Sequence, residues 1–288
     1  MRIAICNVQM SARTGTEIVT RDFALGLQRR GHEVHVVTSY RGGLCDELEA
    51  AGVWVHLGIA SVPRPDVFHV NHMPFARPLF ECYPDVPALV MCHDSSGTNA
   101  AMWPTSQVRA WSGVSQVCCE RAAAESGIPL GEVLLLPNAI DLERIPPPRS
   151  NLPWFPRRWL YVGEKQFGEV LEEKLRRAAR RLFATVDVVG PYTSQPRIVD
   201  NLPAFAQDYD LVVASARCAL ECAAAGTGVV VGDPRGIAGF LGSERWQDWQ
   251  RHNFGIGCLT HQPGSAIFAE AALRWNRSDI AAVTSLAR

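Results

Sequence analysis

The chain has 288 residues, of which 47% are apolar and 20% charged, a composition typical of a globular protein with a hydrophobic core. Its formal net charge of -1 gives no support to nucleic-acid binding, which usually needs a basic surface. No apolar run approaches the ~18 residues of a membrane span. The first residues resemble a strand and do not resemble a signal peptide. The nine cysteines show no C-x-x-C spacing. We therefore expect a cytoplasmic protein with reduced thiols.

The N-terminal half begins with a strand, a helix and a second strand. Apolar runs at residues 3–6 and 34–38 predict the strands, and Thr14 to Glu17 fit the S/T-x-x-E pattern that opens a helix. Gly15 lies at the helix entrance, where a glycine lets a phosphate approach the free N–H groups. A capping turn without a ligand explains the same pattern, and the G-x-G-x-x-G fingerprint of nicotinamide enzymes is absent.

A His-Asp pair follows a later strand. Further strands are predicted at residues 53–57, 67–70, 88–91 and 133–136, with helices at residues 46–51 and 118–126. His93 and Asp94 come just after the strand at 88–91. Because α/β folds place working side chains past the carboxyl ends of strands, these two residues are our catalytic candidates. The alternative is a loop histidine without a function.

A proline-rich segment separates the chain into two halves. Residues 145–158 contain five prolines, which neither a helix nor a central strand accepts. We therefore predict an N-terminal domain at 1–146, a linker at 147–158 and a C-terminal domain at 159–288. Each half has its own strand–helix alternation, so the predicted fold is α/β, with two facing Rossmann-like domains whose parallel sheets carry helices on both faces.

The segment 210–236 combines a strand, a short helix and a second strand in one βαβ step. On its helix, Arg217 and Glu221 are four residues apart and so share one face. One interpretation is an ion pair on a solvated surface. The other is that both face the crevice at the carboxyl ends of the strands, where open α/β sheets bind ligands.

Several motifs, in order, resemble those of GT-B glycosyltransferases of the retaining family-four type. They are the turn at 14–17 with the later RGHEV at 30–34, the D-V-x-H strand at 66–69, V-S at 114–115 with PNAID at 137–141, and ALECAAAG at 219–226. The resemblance covers most of the chain. It implies two Rossmann-like domains with a nucleotide-sugar in the cleft between them.

The resemblance also implies a reaction and a set of site residues. The reaction is transfer of a sugar from a nucleotide diphosphate to an acceptor hydroxyl in glycan or glycoconjugate biosynthesis, with retention of configuration and with neither a metal nor another cofactor. The N-terminal domain would serve the acceptor and the C-terminal domain the donor. The site residues that we assign are, for the donor, Thr14, Gly15, Lys165, Gly190, Arg217 and Glu221; on the acceptor or sugar side, His93 with Asp94; and elsewhere in the cleft, Ser115 and Asn138. The resemblance itself implies Gly15, Glu221 and His93 position by position, whereas Arg217 is our hypothesis for a cation at the entrance of its helix.

Three departures from the family pattern concern the donor site. Thr14 stands where the first turn usually has a glycine, Val213 where an acid is expected, and Glu164 where an arginine is expected. They favour an alternative, a catalytically weak or inactive protein that binds a nucleotide or a sugar. A sugar-nucleotide epimerase of the same fold is a further alternative.

Two remaining patterns concern metals and membranes. The D-x-D at 208–210 precedes its strand, and His69, His72, Cys218 and Cys222 lack further ligands at metal spacing, so we predict no metal site.

The arginines at 176, 177, 180 and 181 resemble a solvated helix face. With the aromatic cluster at 154–159 they could instead contact an anionic membrane, which would place the protein at its inner face. The acceptor is expected to be a glycan, a lipid-linked molecule or a small molecule.

Overall fold

A computed structural model describes all residues of the chain, Met1–Arg288. The chain forms two compact units, Met1–Ala139 (unit 1) and Ile140–Arg288 (unit 2). Each has its own sheet and its own hydrophobic core.

Unit 1 is a seven-stranded sheet with helices on both faces. Its strands are β1 (Arg2–Cys6), β2 (Glu33–Thr38), β3 (Trp54–Leu57), β4 (Val67–Val70), β5 (Ala88–Cys92), β6 (Val108–Gly113) and β7 (Leu134–Leu135). Its helices are α1 (Gly15–Arg29), α2 (Gly43–Ala50), α3 (Met73–Cys82) and α4 (Gln116–Ser126). All the strands are parallel, in the order β3-β2-β1-β4-β5-β6-β7.

The residues of β1 show why this sheet carries helices on both faces. Successive side chains of a strand point to opposite faces. Ile3 and Ile5 pack into a core with α1 and α2, whereas Ala4 and Cys6 pack into a second core with α3 and α4. The near-continuous apolar run of β1 is therefore required, because neither side is open to solvent.

Helix α3 is an element that the sequence pattern did not predict. It begins after His72 and contains Pro74 in its first turn and Pro78 in its interior. A proline in the first turn fits a helix, but an interior proline lacks the N–H that continues the hydrogen-bond pattern. Burial of Met73, Ala76, Leu79 and Phe80 stabilises the helix in spite of Pro78.

Unit 2 is a five-stranded sheet, also with helices on both faces. Its strands are β8 (Arg158–Val162), β9 (Thr185–Val189), β10 (Leu211–Ala214), β11 (Gly228–Asp233) and β12 (Gly236–Phe240). Its helices are α5 (Gly168–Arg181), α6 (Leu202–Ala206), α7 (Ala216–Ala224), α8 (Trp246–Arg251), α9 (Ser265–Leu273) and α10 (Arg277–Ala287). The strand order is β12-β11-β10-β8-β9; β12 pairs antiparallel with β11, and the other pairs are parallel.

The segment predicted as a linker, 147–158, packs within unit 2. The Arg149 guanidinium donates to the Tyr209 carbonyl at 2.8 Å and to the Asp210 carboxylate at 3.1 Å. Ile145, just before this segment, is buried against α7. The prolines stop regular structure here, but these contacts fix the segment to the rest of the unit.

The predicted α/β class, with mainly parallel sheets and helices on both faces, is confirmed in both units. The predicted end of the helix at Gly226 is also confirmed, because this glycine has a φ of 83°. None of the helices combines the length and the apolar character that crossing a membrane requires.

Candidate functional site

The carboxyl edge of the unit 1 sheet has a topological switch point between β1 and β4. Chain connections leave these neighbouring strands in opposite directions, which opens a crevice where α/β sheets bind ligands. Asn71 and His72 follow β4 directly. The Val8 amide, just past β1, donates to His72 Nδ1 at 3.2 Å, so His72 bridges the ends of the two strands.

His93, predicted as catalytic, is held by a side chain from the next strand. Its Nε2 lies 3.0 Å from Asn71 Oδ1, and Asn71 Nδ2 lies 2.9 Å from Thr20 Oγ1 on α1. The neighbouring Asp94 is exposed, and its carboxylate accepts from the Ser96 amide at 3.2 Å. His93 and Asp94 therefore do not form a hydrogen-bonded dyad. Asn71 and Thr20 did not figure among the predicted site residues.

Three histidines near this edge are poor proton acceptors. Burial lowers the pKa of His69 to about 4. Burial also lowers the pKa of His72 to about 4, although the negative charge of Asp94 acts in the opposite direction. Burial, reinforced by the other two rings, lowers the pKa of His93 to about 3. All three imidazoles are consequently neutral at pH 7 and can donate or accept hydrogen bonds.

The first turn of α1 presents backbone N–H groups at an unobstructed glycine. Thr14 is the N-cap residue, and the first helical hydrogen bond is donated by the Ile18 amide to the Thr14 carbonyl at 3.1 Å. The amides of Gly15, Thr16 and Glu17 therefore have no partner within the helix. A Cβ added at Gly15 would meet no atom within 4 Å, so packing does not require a glycine there.

Thr14 does not act as the capping box predicts. Its side chain makes no cap hydrogen bond to the backbone and contacts the Glu17 carboxylate instead. Glu17 is fully buried and also accepts from Gln9 Nε2 at 2.9 Å. The carboxylate thus lies on the interior side of the first turn, while Gly15 is exposed.

Ser115 and Asn138, predicted elsewhere in the cleft, differ in their surroundings. Ser115 caps α4, because its Oγ accepts from the Cys118 amide at 3.3 Å. A structural role explains this residue. Asn138 is half-buried in the last residues of unit 1.

Unit 2 has its own switch point, between β8 and β10. Gly163, Glu164 and Lys165 follow β8, and Ser215 alone separates β10 from α7. Lys165 is exposed and forms no ion pair. The structure thus brings Lys165 and the start of α7, which carries Arg217 and Glu221, to the two strands that flank this switch point.

Arg217 and Glu221 pair with each other away from solvent. The Arg217 Nε–Glu221 Oε1 distance is 3.0 Å, and the two side chains are only 6% and 12% exposed. The interpretation as a pair on a solvated surface is therefore wrong. The residue before Arg217, Ala216, has a φ of 51° and donates its amide to the Phe254 carbonyl at 2.8 Å. A non-glycine residue held in this region is strained, and such strain often occurs at functional sites.

A further polar cluster lies beside α7. The Asp233 carboxylate, at the end of β11, accepts from Ser215 Oγ at 2.8 Å and from the Arg235 guanidinium at 2.6 and 3.0 Å. Burial opposes ionisation, but the hydrogen bonds and charge of Arg235, with help from Ser215, hold the pKa of Asp233 below its ordinary value. The signal in the sequence was an Asp at a strand end followed two residues later by an Arg.

Gly190, predicted to bind the donor, is required by packing. Its φ is 113°, and an added Cβ would lie 2.6 Å from the Gly163 carbonyl oxygen. Its amide donates to the Arg197 carbonyl at 2.6 Å, and its carbonyl accepts from the Arg197 amide at 3.3 Å and from Thr193 Oγ1 at 3.1 Å. Both backbone groups are thus used within unit 2.

The position of the missing acid, Val213, lies inside the sheet. Val213 is 1% exposed in β10, paired with Tyr161 on one side and Val230 on the other. Because one residue connects β10 to α7, no loop is present from which a carboxylate eight positions before Glu221 could reach a ligand.

The candidate metal ligands Asp210, Cys218 and Cys222 are explained by hydrogen bonding and burial within the protein. Asp210 of the D-x-D accepts from the Arg157 and Arg158 amides at 2.8 and 2.9 Å. Burial raises the pKa of the Cys218 and Cys222 thiols well above the ordinary value. No three histidine, cysteine or acidic side chains converge in an arrangement that could hold a metal ion.

Comparison with known proteins places this geometry in context. A sequence model described as Glycosyltransferase Family 4 matches residues 13–144. Comparison with curated protein sequences finds no match.

Similar solved structures share the whole fold at low sequence identity. Anabaena HepE, solved in complex with UDP and glucose, has 13% identity and a TM-score of 0.67, covering 99% of this chain and 94% of its own. A glycosyltransferase from Rickettsia africae has 12% identity and a TM-score of 0.57, covering 99% and 95%. A putative UDP-N-acetylglucosamine 2-epimerase from Listeria monocytogenes has 13% identity and a TM-score of 0.58, covering 100% and 91%.

These neighbours establish the fold. The chain has the GT-B fold, and over residues 13–144 it resembles glycosyltransferase family 4.

Proposed function

We propose that the protein transfers a sugar from a nucleotide diphosphate to an acceptor hydroxyl, in the assembly of a glycan or glycoconjugate. The observation that carries the proposal is the first turn of α1. It lies in the segment that matches family 4, its amides at residues 15–17 have no helical partner, and Gly15 leaves the approach open. A helix N-terminus of this kind suits the phosphates of a donor.

In unit 2, four side chains near the switch point have the chemistry that a nucleotide-sugar requires. Lys165 offers an exposed cation for the diphosphate. Arg217 and Arg235 are further guanidinium groups near the start of α7. Glu221 supplies the carboxylate that would accept hydrogen bonds from the ribose hydroxyls, as the family resemblance implies.

The chemistry asked of these groups is chiefly electrostatic. As the sugar–phosphate bond breaks, negative charge grows on the departing diphosphate, and preorganised cations and amides stabilise it. Lys165 compensates in part for Glu164, which stands where the family has an arginine. As the family resemblance implies, we propose that the transfer retains the configuration of the sugar and needs no bound metal.

An assay with nucleotide-sugars tests the proposal against its alternatives. The protein is incubated with a panel of nucleotide-sugars, with and without simple glycoside acceptors, and the products are separated. Transfer predicts release of nucleoside diphosphate that rises with acceptor, and an α-linked product from an α-linked donor. Binding without release identifies an inactive binder, and an isomerised nucleotide-sugar without acceptor identifies an epimerase.

The proposed acceptor is a glycan, a lipid-linked molecule or a small molecule. A basic surface of unit 2 supports a contact with an anionic membrane. Five arginines there form no ion pair with a carboxylate: Arg157, Arg158, Arg177, Arg180 and Arg181. Arg176 differs, because it pairs with Glu172 and donates to the Val186 carbonyl.

Unit 2 also exposes two aromatic residues that each contact an arginine. Phe183 is 86% exposed with a φ of 54°, and Arg157 donates to its carbonyl at 3.2 Å. Trp154 is 85% exposed, with the Arg277 guanidinium 3.7 Å above its ring. Exposed aromatics among unpaired arginines suit the headgroup region of an anionic membrane. We therefore propose that this basic–aromatic surface holds the protein at the cytoplasmic face of the membrane.

A further inference from the structure

The hydrogen-bond chain that ends at His93 has only one possible direction. Its starting point is the carbonyl of Thr16 on α1, which can only accept. Thr20 Oγ1 lies 2.8 Å from that oxygen, so the Thr20 hydroxyl must donate its single proton there. The oxygen of Thr20 is then left to accept from Asn71 at 2.9 Å, which directs the amide nitrogen of Asn71 toward Thr20.

This direction fixes the protonation of the His93 ring. With its nitrogen on Thr20, Asn71 presents its oxygen to His93 Nε2 at 3.0 Å. An amide oxygen can only accept, so Nε2 must carry the hydrogen. In a neutral ring, Nδ1 then holds a lone pair, and it makes no hydrogen bond within the protein. The ring remains neutral at physiological pH because burial lowers the pKa of His93 to about 3.

We propose that Thr20 and Asn71 are positioning residues that hold His93 as the Nε2–H tautomer, with Nδ1 ready to accept a hydrogen bond from the acceptor hydroxyl. The assignment of the hydroxyl rests on the proposed function, whereas the tautomer does not. Thr20 is fully buried and Asn71 is 3% exposed, so the structure holds both members of the chain in place. The order Thr16, Thr20, Asn71, His93 connects α1 to the end of β5.

The low pKa of His93, which burial causes, limits what the ring can do. A ring of such low basicity is a weak proton acceptor at the start of the reaction. It can, however, orient a hydroxyl through Nδ1, which serves to place the attacking oxygen. His93 would therefore contribute orientation, and loss of its tautomer should affect use of the acceptor more than binding of the donor.

Ring nitrogen NMR tests the tautomer directly. The full chain is labelled with ¹⁵N-histidine, and the His93 signals are assigned by their loss in His93→Asn. We expect an Nε2–H tautomer whose signals are constant from pH 8 to pH 5. An Nδ1–H tautomer at pH 8 would overturn the proposal whether or not the protein transfers sugar.

A pair of variants tests the positioning role. Thr20→Val removes the hydroxyl without a large change in volume, and we expect a mixture of His93 tautomers. We also expect a fall of about 10-fold in kcat/KM for the acceptor, the lower end of what loss of a histidine-orienting partner costs at metal sites. The KM of the donor should be unchanged, and Thr20→Ser, which keeps the hydroxyl, should restore both readouts. A Thr20→Val protein with a single unchanged tautomer contradicts the proposal. A wild-type protein with the expected tautomer but no transfer would contradict the proposed function alone.

Discussion

Arg217 and Glu221 form an ion pair on α7 that is shielded from solvent, with Arg217 Nη2 2.9 Å from Glu221 Oε1. Burying two charges is costly, and removing one member of a shielded ion pair is usually destabilising. The pair is therefore expected to matter for the stability of unit 2 as well as for ligand binding.

Replacement of Glu221 separates these two effects. For Glu221→Gln we expect a loss of about 1–3 kcal/mol in the free energy of unfolding, because a hydrogen bond to a charged group is weakened. Urea denaturation of the full chain measures this loss. Nucleoside diphosphate affinity should fall about 10-fold, equivalent to about 1.4 kcal/mol. An affinity equal to that of the wild-type protein would remove Glu221 from the proposed donor site.

Arg217 tests where the positive charge of the donor site comes from. If it stabilises the diphosphate, Arg217→Ala should weaken binding of nucleoside diphosphate more than binding of the free nucleoside, and isothermal titration of both ligands measures the difference. The matched control is Arg251→Ala, an exposed arginine of α8 that forms no ion pair. Equal losses for nucleoside and nucleoside diphosphate would show that Arg217 only supports Glu221.

Gly15 separates the needs of the ligand from those of the fold. An added Cβ meets no protein atom there, so Gly15→Ala should leave the free energy of unfolding unchanged or raise it by up to about 1 kcal/mol. If phosphates approach the Gly15 amide, the same methyl group should lower nucleoside diphosphate affinity at least 10-fold. Thermal unfolding and isothermal titration provide the two measurements.

Gly26 provides the control for this experiment. It lies on the same helix, and an added Cβ would meet only the Arg30 side chain at an ordinary 3.6 Å. Gly26→Ala should raise stability similarly and leave affinity unchanged. Equal affinities of the two variants for nucleoside diphosphate would contradict the role proposed for Gly15.

Acid should destabilise unit 1 through its buried histidines. In the unfolded chain a histidine titrates near 6.5, whereas in the folded unit the pKa of His69 is about 4. Between these values the unfolded chain binds more protons than the folded chain. The contribution of His69 to the free energy of unfolding is therefore fully present above pH 6.5 and is lost as the pH falls toward 4. Each such histidine contributes a slope of up to about 1.4 kcal/mol per pH unit.

His69→Leu isolates one of these contributions. The buried Nε2 of His69 has no hydrogen-bond partner, so the ring can be replaced by an apolar side chain without leaving a polar group unsatisfied. Urea denaturation between pH 7.5 and pH 4.5 should give a smaller pH slope for the variant than for the wild-type protein. Identical slopes would show that His69 is protonated equally in both states.

The basic–aromatic surface of unit 2 should respond to charge reversal. Arg180→Glu with Arg181→Glu should abolish co-sedimentation with vesicles that contain phosphatidylglycerol, because the attraction to anionic headgroups is reversed. Arg251→Glu, the control, should bind like the wild-type protein. Wild-type binding that is equal for anionic and zwitterionic vesicles would refute the proposed membrane contact.

Local patterns predicted most of the strands and helices, and the failures have identifiable causes. The βαβ unit from β1 to β2 and the step from β10 to β11 were predicted because their apolar runs and glycine stops are complete within the segment. Helix α3 was missed because Pro78 contradicts helix propensity and only its buried face stabilises it. Strand β12 was missed because Gly236 and Gly239 weaken its pattern, and pairing with β11 supplies what propensity lacks.

The site residues show a sharper limit. His93 could be singled out because it follows a strand, but its partner Asn71 is 22 residues earlier and meets it only through the pairing of β4 with β5. The sequence predicts a ligand contact at Gly190, whereas its close approach to Gly163 is sufficient reason for a glycine. Spacing along the chain indicates which residues lie near the edge of the sheet, and only the folded sheet shows which side chains are in contact.

The most direct test of the proposed donor site, on which the proposed function depends, is a thermal unfolding screen of the full chain with nucleoside diphosphates and their sugar conjugates. A ligand at 100 times its dissociation constant stabilises the folded state by about 2.7 kcal/mol. We predict such a stabilisation for at least one nucleoside diphosphate and its sugar conjugate, and we expect a roughly 10-fold loss of affinity in Gly15→Ala or Glu221→Gln to reduce it to about half or less. An unchanged unfolding transition with every ligand of the panel would contradict the account.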